Sequence, residues 1–407
     1  MSNASKKRLG DIVTFKRGYD LPHHKRNEGV YPVISSGGIS GYHAEYKKEG
    51  EGLVIGRYGT LGEAYYINGK YWPHNTALYA TNFKGNYPKY VYYLMKCLGN
   101  LKTADKSTVP GINRNDLHEL EVPYIKPPYQ KKIADILFLI DAKIELNNCI
   151  NRELEAKAKT LYDYWFMQFD FPDENGKPYR SGGGKMVWSD ELRREVPEGW
   201  KAKSLASICY WNKDTLKAKH DFSFIYYLET SGITKNEITT IEKIYPHEKL
   251  PSRAKRIVLA NDIIYSTVRP NQEHYGIIKE PLINMIVSTG FAVISHKQTP
   301  TLNDLIYQFL STKHIVSYLH TVADSSVSSY PSINPDDIMA LHLPWPKDEE
   351  ILFPLSNKLH AMNSTIHQNQ KQNKHLIELR DWLLPMLMNG QVKVSETEEA
   401  LSMAAED

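Results

Sequence analysis

The chain has 407 residues, 41% of them hydrophobic and 24% charged, with a formal net charge of +3, which excludes a disordered chain or a mini-protein and leaves room for two to four globular domains. No run of 18 apolar residues occurs, and the opening Met-Ser-Asn-Ala-Ser-Lys-Lys-Arg has no apolar stretch behind its charges, so neither a membrane span nor a secretion signal is expected. Three scattered cysteines, Cys97, Cys149 and Cys209, suit neither a disulfide framework nor a CxxC metal knuckle, and a cytoplasmic location is expected.

Residues 1–122 carry 17 basic and 11 acidic side chains, an excess of +6 of the kind that suits an anionic partner. Short β-like runs, Tyr31-Pro32-Val33-Ile34, Gly52-Leu53-Val54-Ile55, Ala64-Tyr65-Tyr66-Ile67 and Ala77-Leu78-Tyr79-Ala80, are separated by glycines and the turn signal Asn68-Gly69. They predict an α+β globule over residues 1–125. From Lys126 the periodicity changes. Ile133, Leu137, Ile140, Ile144, Asn147, Asn151, Leu154, Ala158 and Leu161 alternate by four and three, the seam of a long helix over 126–170.

A turn-rich connector over 171–196 follows, containing Asn175-Gly176-Lys177-Pro178 and Ser181-Gly182-Gly183-Gly184. A second α+β globule over 197–346 opens at Val196-Pro197-Glu198-Gly199-Trp200 and contains the runs Phe224–Leu228, Asp262–Tyr265 and Phe291–Ile294. Its residues 197–343 hold 15 basic and 14 acidic side chains, only +1. The second long helix, over 347–392, has the seam Leu355, Leu359, Met362, Ile366, Asn369, Asn373, Leu376, Arg380 and Leu383. An acidic tail over 393–407 ends the chain and masks the basic first globule in the whole-chain charge.

The chain repeats itself. Val109-Pro110-Gly111-Ile112-Asn113-Arg114-Asn115-Asp116-Leu117 returns as Tyr330-Pro331-Ser332-Ile333-Asn334-Pro335-Asp336-Asp337-Ile338 at an offset of 221, and Val122-Pro123 returns as Leu343-Pro344 at the same offset. The two seams repeat at 222, polar breaks included: Asn147 matches Asn369 and Asn151 matches Asn373. An asparagine in an apolar seam costs stability unless its amide meets a matching partner, so the two helices are expected to pair with each other.

Signals for catalysis are weak. Lys126-Pro127-Pro128-Tyr129 is like the Pro-Pro-Tyr motif of amino-group methyltransferases, but its lysine only donates where an acceptor is required, and prolines commonly open helices. The glycine-rich stretches lack the setting of a phosphate loop, the histidines lack metal-ligand spacing, and no GxSxG elbow occurs. Nucleic-acid contacts are better supported. In the first globule Arg57 and Tyr58 lie among glycines and are followed by Lys70, His74 and Asn75; in the second, Arg253 and Lys255 are followed by Arg269, Asn271 and Gln272. Glycine lets a backbone approach a phosphate, arginine reaches guanine edges and asparagine or glutamine adenine edges.

At this point the chain resembles a specificity subunit of a type I restriction-modification system. The resemblance is carried by Val196-Pro197-Glu198-Gly199-Trp200-Lys201 with Leu205 and Ile208, by Gly56-Arg57-Tyr58-Gly59-Thr60-Leu61-Gly62 with Trp72 and Thr76-Ala77-Leu78, and by the two closing motifs Pro110–Asn113 and Pro331–Asn334, and it spans residues 5–392. It implies two tandem target-recognition domains, each followed by a long helix, with the helices packed as an antiparallel coiled coil. It further implies a non-catalytic reader of a bipartite, asymmetric duplex DNA target. Its partners are two copies of a modification subunit, and restriction subunits, which carry the chemistry of S-adenosylmethionine, ATP and Mg. A helix of about 35 residues is roughly 50 Å long, which places the half-sites about one DNA turn apart. The rival readings are a coiled-coil protein-interaction module and, further off, a methyltransferase or nuclease fused to recognition domains.

Overall fold

The unbroken apolar run Leu53-Val54-Ile55 is buried throughout, as a strand must be when both faces of its sheet are covered. The computed structural model describes residues 5–57, 63–102, 113–217, 222–245, 248–325 and 331–391. The chain divides into two units, Met1–Leu146 with Gln372–Asp407, and Asn147–Lys371. Tyr58 to Gly62, Val109 to Ile112, Tyr330 and the acidic tail lie outside the described residues.

In the first unit the covered sheet contains β1 (Thr14–Arg17), β2 (Glu51–Gly56), β3 (Ala64–Asn68) and β4 (Ala77–Asn82), antiparallel throughout in the order β1-β4-β2-β3. Side chains alternate across it with period two. Leu53, Ile55, Leu78 and Ala80 pack with Tyr90, Val91 and Leu94 of the helix Pro88–Lys102. Val54, Ala77 and Tyr79 face the other way, towards Ile34 of a smaller sheet. That sheet holds Gly38–His43, Tyr31–Ser35 and Trp72–Pro73, the last two parallel.

The second unit repeats this plan. Its sheet contains β5 (Cys209–Trp211), β6 (Asp262–Ser266), β7 (Tyr275–Ile278) and β8 (Phe291–His296) in the order β5-β8-β6-β7. Ile263, Tyr265, Ala292 and Ile294 pack with Leu305, Ile306 and Phe309 of the helix Asn303–Leu310. Ile264, Phe291 and Val293 face Leu228, Met285 and Val287 of the smaller sheet. Here the smaller sheet has four strands, Glu242–Ile244, Ile225–Leu228, Met285–Ser288 and Ala254–Ile257, again with a parallel central pair.

Each globule is closed by pairing its first strand with its last: Ser5–Arg8 with Glu121–Tyr124, and Trp200–Ser204 with His342–Pro346. Both repeated proline pairs sit in those closing strands. The long helices α1 (Pro127–Tyr162) and α2 (Phe353–Met388) follow. In the first unit Ile133, Leu137 and Ile140 share a core with Leu383, Leu384, Leu387 and Met388. In the second, Asn369 Nδ2 donates to Asn151 Oδ1 at 2.8 Å, while Ala158 and Tyr162 share a core with Leu359 and Leu355. Residues advancing along α1 thus meet residues receding along α2, and the pair is antiparallel.

The stretch 171–196, expected as a connector, also packs. Phe169 and Phe171 flank Trp200 at ring-centroid distances of 5.7 and 5.2 Å, and Met186–Ser189 pairs with Arg194–Pro197 as a hairpin. Arg194 donates to the carbonyls of Phe166 and Met167, capping the end of α1 beyond its five-residue π turn.

Candidate nucleic-acid interface

In the first globule two turns meet at the end of the covered sheet where β2 stops and β4 begins. Ser36, in the hairpin between Tyr31–Ser35 and Gly38–His43, donates its hydroxyl to the carbonyl of Thr76 and accepts the backbone N–H of Arg57 at 3.2 Å. His74 and Asn75 occupy the turn into β4, and the His74 ring lies 3.0 Å from the Thr76 hydroxyl. Burial, and then the nearby Arg26 guanidinium, hold the His74 imidazole below the usual histidine range, so the ring at neutral pH is an uncharged hydrogen-bonding group. An open cleft of about 540 Å³ lies here, lined among others by Arg26, Ser35, Ser36, His74, Asn75 and Thr76.

Arg26 clamps the cleft wall by donating to the Ser40 carbonyl at 2.7 Å, while its buried Nε finds no hydrogen-bond partner among the described residues. Arg17 at the end of β1 donates to the Asn75 carbonyl at 3.2 Å, and the Asn75 amide donates to Asp20. Lys70 is not part of this cleft. It sits 3.9 Å from Glu49 with its ammonium 4.7 Å from the Tyr46 ring centroid.

The second globule builds the same junction from other side chains. Thr267, just after β6, donates through both its backbone N–H, at 2.8 Å, and its hydroxyl, at 3.0 Å, to the carbonyl of Gly290 in the turn into β8. The neighbouring Thr289 N–H donates to the carbonyl of Arg253 at 2.8 Å, which brings Arg253 and the strand Ala254–Ile257 that follows it to the same place. Arg253 stands 4.0 Å from Glu229; Lys255 is exposed. Arg269 is held in the left-handed region at φ +47, and its N–H donates to the Pro331 carbonyl at 3.0 Å while the Ile333 N–H donates to the Thr267 carbonyl. Asn271 and Gln272 follow, exposed, in a single 3₁₀ turn. The closing motif around Ser332 is therefore a strut of the junction in this globule.

In the seam, Ile140, Asn147, Asn151, Ile366 and Asn373 are buried and Ile144, Leu154, Met362, Asn369 and Leu376 half-buried. Sequence reasoning missed Arg26 and Arg17 in the first junction and Thr267 with Gly290 in the second. The basic run His23-His24-Lys25-Arg26 was the available signal for Arg26, whereas the other contacts depend on strand order. Among the described residues no group of three or more His, Cys, Asp or Glu side chains is placed to hold a metal ion, and no helix is long and apolar enough to cross a membrane.

Residues 1–156 match the family described as type I restriction modification DNA specificity domain. Through these residues, the first globule and most of the helix that follows it, the chain is similar to that family. The type I restriction enzyme MjaIX specificity subunit of Methanocaldococcus jannaschii is 26% identical over 331 residues, covering 76% of this chain and 70% of that protein. The type I restriction enzyme HindI specificity subunit of Haemophilus influenzae is 28% identical over 182 residues, 42% of this chain and 38% of that one. The crystal structure of a type I restriction-modification S subunit from M. genitalium aligns with a TM-score of 0.67 over 95% of this chain and 96% of that chain, at 17% identity. That last likeness is one of fold: two tandem α+β globules, each followed by a long helix. The resemblance seen in the sequence, and the antiparallel helix pair it implied, are borne out.

Proposed function

We propose that this chain is a non-catalytic DNA-reading subunit of the type I specificity family, each globule reading one half of a bipartite, asymmetric duplex target. The observation that carries this reading is the repeated junction. At the same end of the same sheet in both globules, the segment leaving one strand is tied to the turn into its neighbour, through Ser36 in the first and directly by Thr267 in the second; Arg57, His74 and Asn75 with Arg26 and Arg17 belong to one junction, Arg253, Lys255, Arg269, Asn271 and Gln272 to the other. A common scaffold with different polar side chains is what reading two unrelated half-sites at fixed separation requires.

In this reading residues 1–125 and 197–346 are the recognition domains, and the helix segments 126–170 and 347–392 set their spacing. The repeated helices offer similar surfaces to two copies of a modification subunit. S-adenosylmethionine, with ATP and Mg for restriction subunits, belongs to those partners, and the assembly works in the cytoplasm. The test is duplex retention by the purified chain with and without a modification subunit, beside methylome sequencing of a host in which the gene is deleted. Loss of one bipartite motif, with retention that falls when either half-site is scrambled, is expected. Retention indifferent to sequence and an unchanged methylome would overturn the reading in favour of a protein-interaction module.

A further inference from the structure

Each unit carries a polar cluster where a long helix meets the globule beside it, and the two clusters have opposite polarity. In the first unit the acid is on the long helix. Asp141 of α1 accepts from the Tyr93 hydroxyl at 2.7 Å and from Arg380 of α2 at 2.9 Å, and stands 3.9 Å from Lys96 Nζ. Tyr93 and Lys96 belong to the globule helix Pro88–Lys102.

In the second unit the acid is on the globule. Asp304, in the helix Asn303–Leu310, has a fully buried side chain and accepts from Lys279 Nζ at 2.6 Å and from Asn363 Nδ2 at 2.7 Å. His360 Nδ1 lies 2.9 Å from its other oxygen. Lys279 also reaches Asn261 at 3.2 Å. His360 and Asn363 belong to α2.

The offset of 222 that aligns Asn147 with Asn369 also aligns Asp141 with Asn363. These two residues are one position of the repeated helix, and in both units that position meets the helix that follows the last strand of the covered sheet. Helix packing alone gives no reason for a carboxylate at one copy and an amide at the other. A buried charge is tolerated only opposite its partner, and a wrong pairing of like charges is a means of discrimination.

We propose that this helix position is a polarity key: Asp141 accepts the donor-bearing helix of the first globule, Asn363 the acid-bearing helix of the second, and the pair fixes which globule occupies which place in the chain's architecture. The order in which half-sites are read then follows, and that last step rests on the DNA-reading function proposed above; the keying does not. Asp141, Asp304 and Asn363 are positioning residues. With the globules exchanged, Asp304 would be brought to Asp141 and the donors of the first globule to Asn363 and His360.

The deciding experiment uses the full chain with Asn363→Asp, which sets a second carboxylate against Asp304; the charged and titratable groups facing it are Asp304, Lys279 and His360. Two carboxylates in contact raise one another's pKa. The folded state then holds a proton that the unfolded chain has released, so stability is present at low pH and lost as pH rises. Asn363→Ala, the control, removes the hydrogen bond without adding a charge. At pH 8 the aspartate variant is expected to unfold at least about 4 °C below the alanine variant, with the gap closing towards pH 5, and Asp304→Asn added to Asn363→Asp should recover much of the loss. An aspartate variant as stable as the alanine control at pH 8, or a gap that pH does not change, would overturn the proposal. A chain with residues 5–125 and 197–346 exchanged should then reach the native midpoint only when Asp141→Asn and Asn363→Asp travel with the exchange. If that keyed chain melts normally yet retains no DNA, the keying stands and the DNA-reading function falls.

Discussion

The two globules share a covered four-stranded sheet and differ in the smaller sheet laid against it. In the first globule that sheet has three strands, and residues 31–51 complete the passage from its central strand back to β2. In the second it has four, and residues 225–262 make the same passage, adding the edge strand Ala254–Ile257 and the hairpin Ile233–Thr234 with Glu237–Ile238. The difference follows burial. Every face of the covered sheet packs on something, so a change there opens a cavity or an unpaired polar group. The smaller sheet has side chains open to water, among them Ile39 and Tyr42 in one globule and Lys255 in the other. Additions are tolerated there.

The largest expected difference between the units is at their polar clusters. Lys279→Met leaves Asp304 buried without its cation and should cost the second unit about 3 to 5 kcal/mol. Lys96→Met beside the partly exposed Asp141, which keeps Arg380, should cost the first less than about 1 kcal/mol. Urea unfolding followed by hydrogen exchange resolved to each unit would expose equal losses, which would deny the contrast.

Next comes recognition. Arg57→Ala should weaken reading of one half-site by about 1 to 3 kcal/mol and Arg269→Ala the other by a similar amount, if each arginine grips a base edge. Competition binding with duplexes scrambled in one half at a time checks this; a uniform loss across all duplexes would reassign both side chains to the phosphate backbone.

A heptad added after Asn151 and another before Asn369 keeps the Asn151–Asn369 hydrogen bond and sets the two insertions opposite each other, because seven residues return each helix to nearly the same face. The helices lengthen by about 10 Å, and the preferred spacer should grow by up to about three base pairs at 3.4 Å each, with both half-sites unchanged. Methylation confined to the original spacing by a normally assembled variant would remove the helices as the ruler.

The smallest contrast is a response to acid. His118 accepts the Phe15 N–H at 3.0 Å, and His296 accepts the Thr299 N–H at 3.0 Å. Burial lowers the pKa of both. The unfolded chain therefore takes up the protons first, and the stability these rings contribute is present above about pH 6.5 and lost as pH falls below it. His296, only 5% exposed, should give the second unit the steeper slope, up to about 1.4 kcal/mol per pH unit. His296→Gln should flatten it, as a urea midpoint series between pH 7 and pH 5 would reveal.

Much of this architecture was legible because periodicity and repetition are local properties of a sequence. The seam from Ile133 to Leu161 is readable residue by residue, and its recurrence with Asn147 and Asn151 in register implies a helix pair on its own. The junctions were only half legible. Arg57 and Arg269 advertise themselves as arginines beside turns, but that Thr76 meets Ser36 follows from the parallel pairing of Tyr31–Ser35 with Trp72–Pro73, and that Gly290 meets Thr267 follows from the antiparallel pairing of β6 with β8. Such pairing brings together segments far apart in the chain and leaves no local pattern. The packing of residues 171–196 was hidden for a related reason, since glycines and prolines report turns but not the aromatic cluster of Phe169, Phe171 and Trp200 that the turns enclose.

The division into units makes the first globule begin before the second in synthesis and reach completion after it. Its core draws Leu383, Leu384, Leu387 and Met388 from the far end of α2, whereas the second unit is one continuous segment that ends at Lys371. At about 5 to 20 residues per second, the stripe Ile133, Leu137 and Ile140 waits roughly 12 to 50 s for its cover, and during that interval a nascent chain offers an apolar helix face to anything nearby. Premature termination just after Lys371 would leave the second globule whole and strip the first, so that loss of the last turns of α2 is felt in the globule encoded before it.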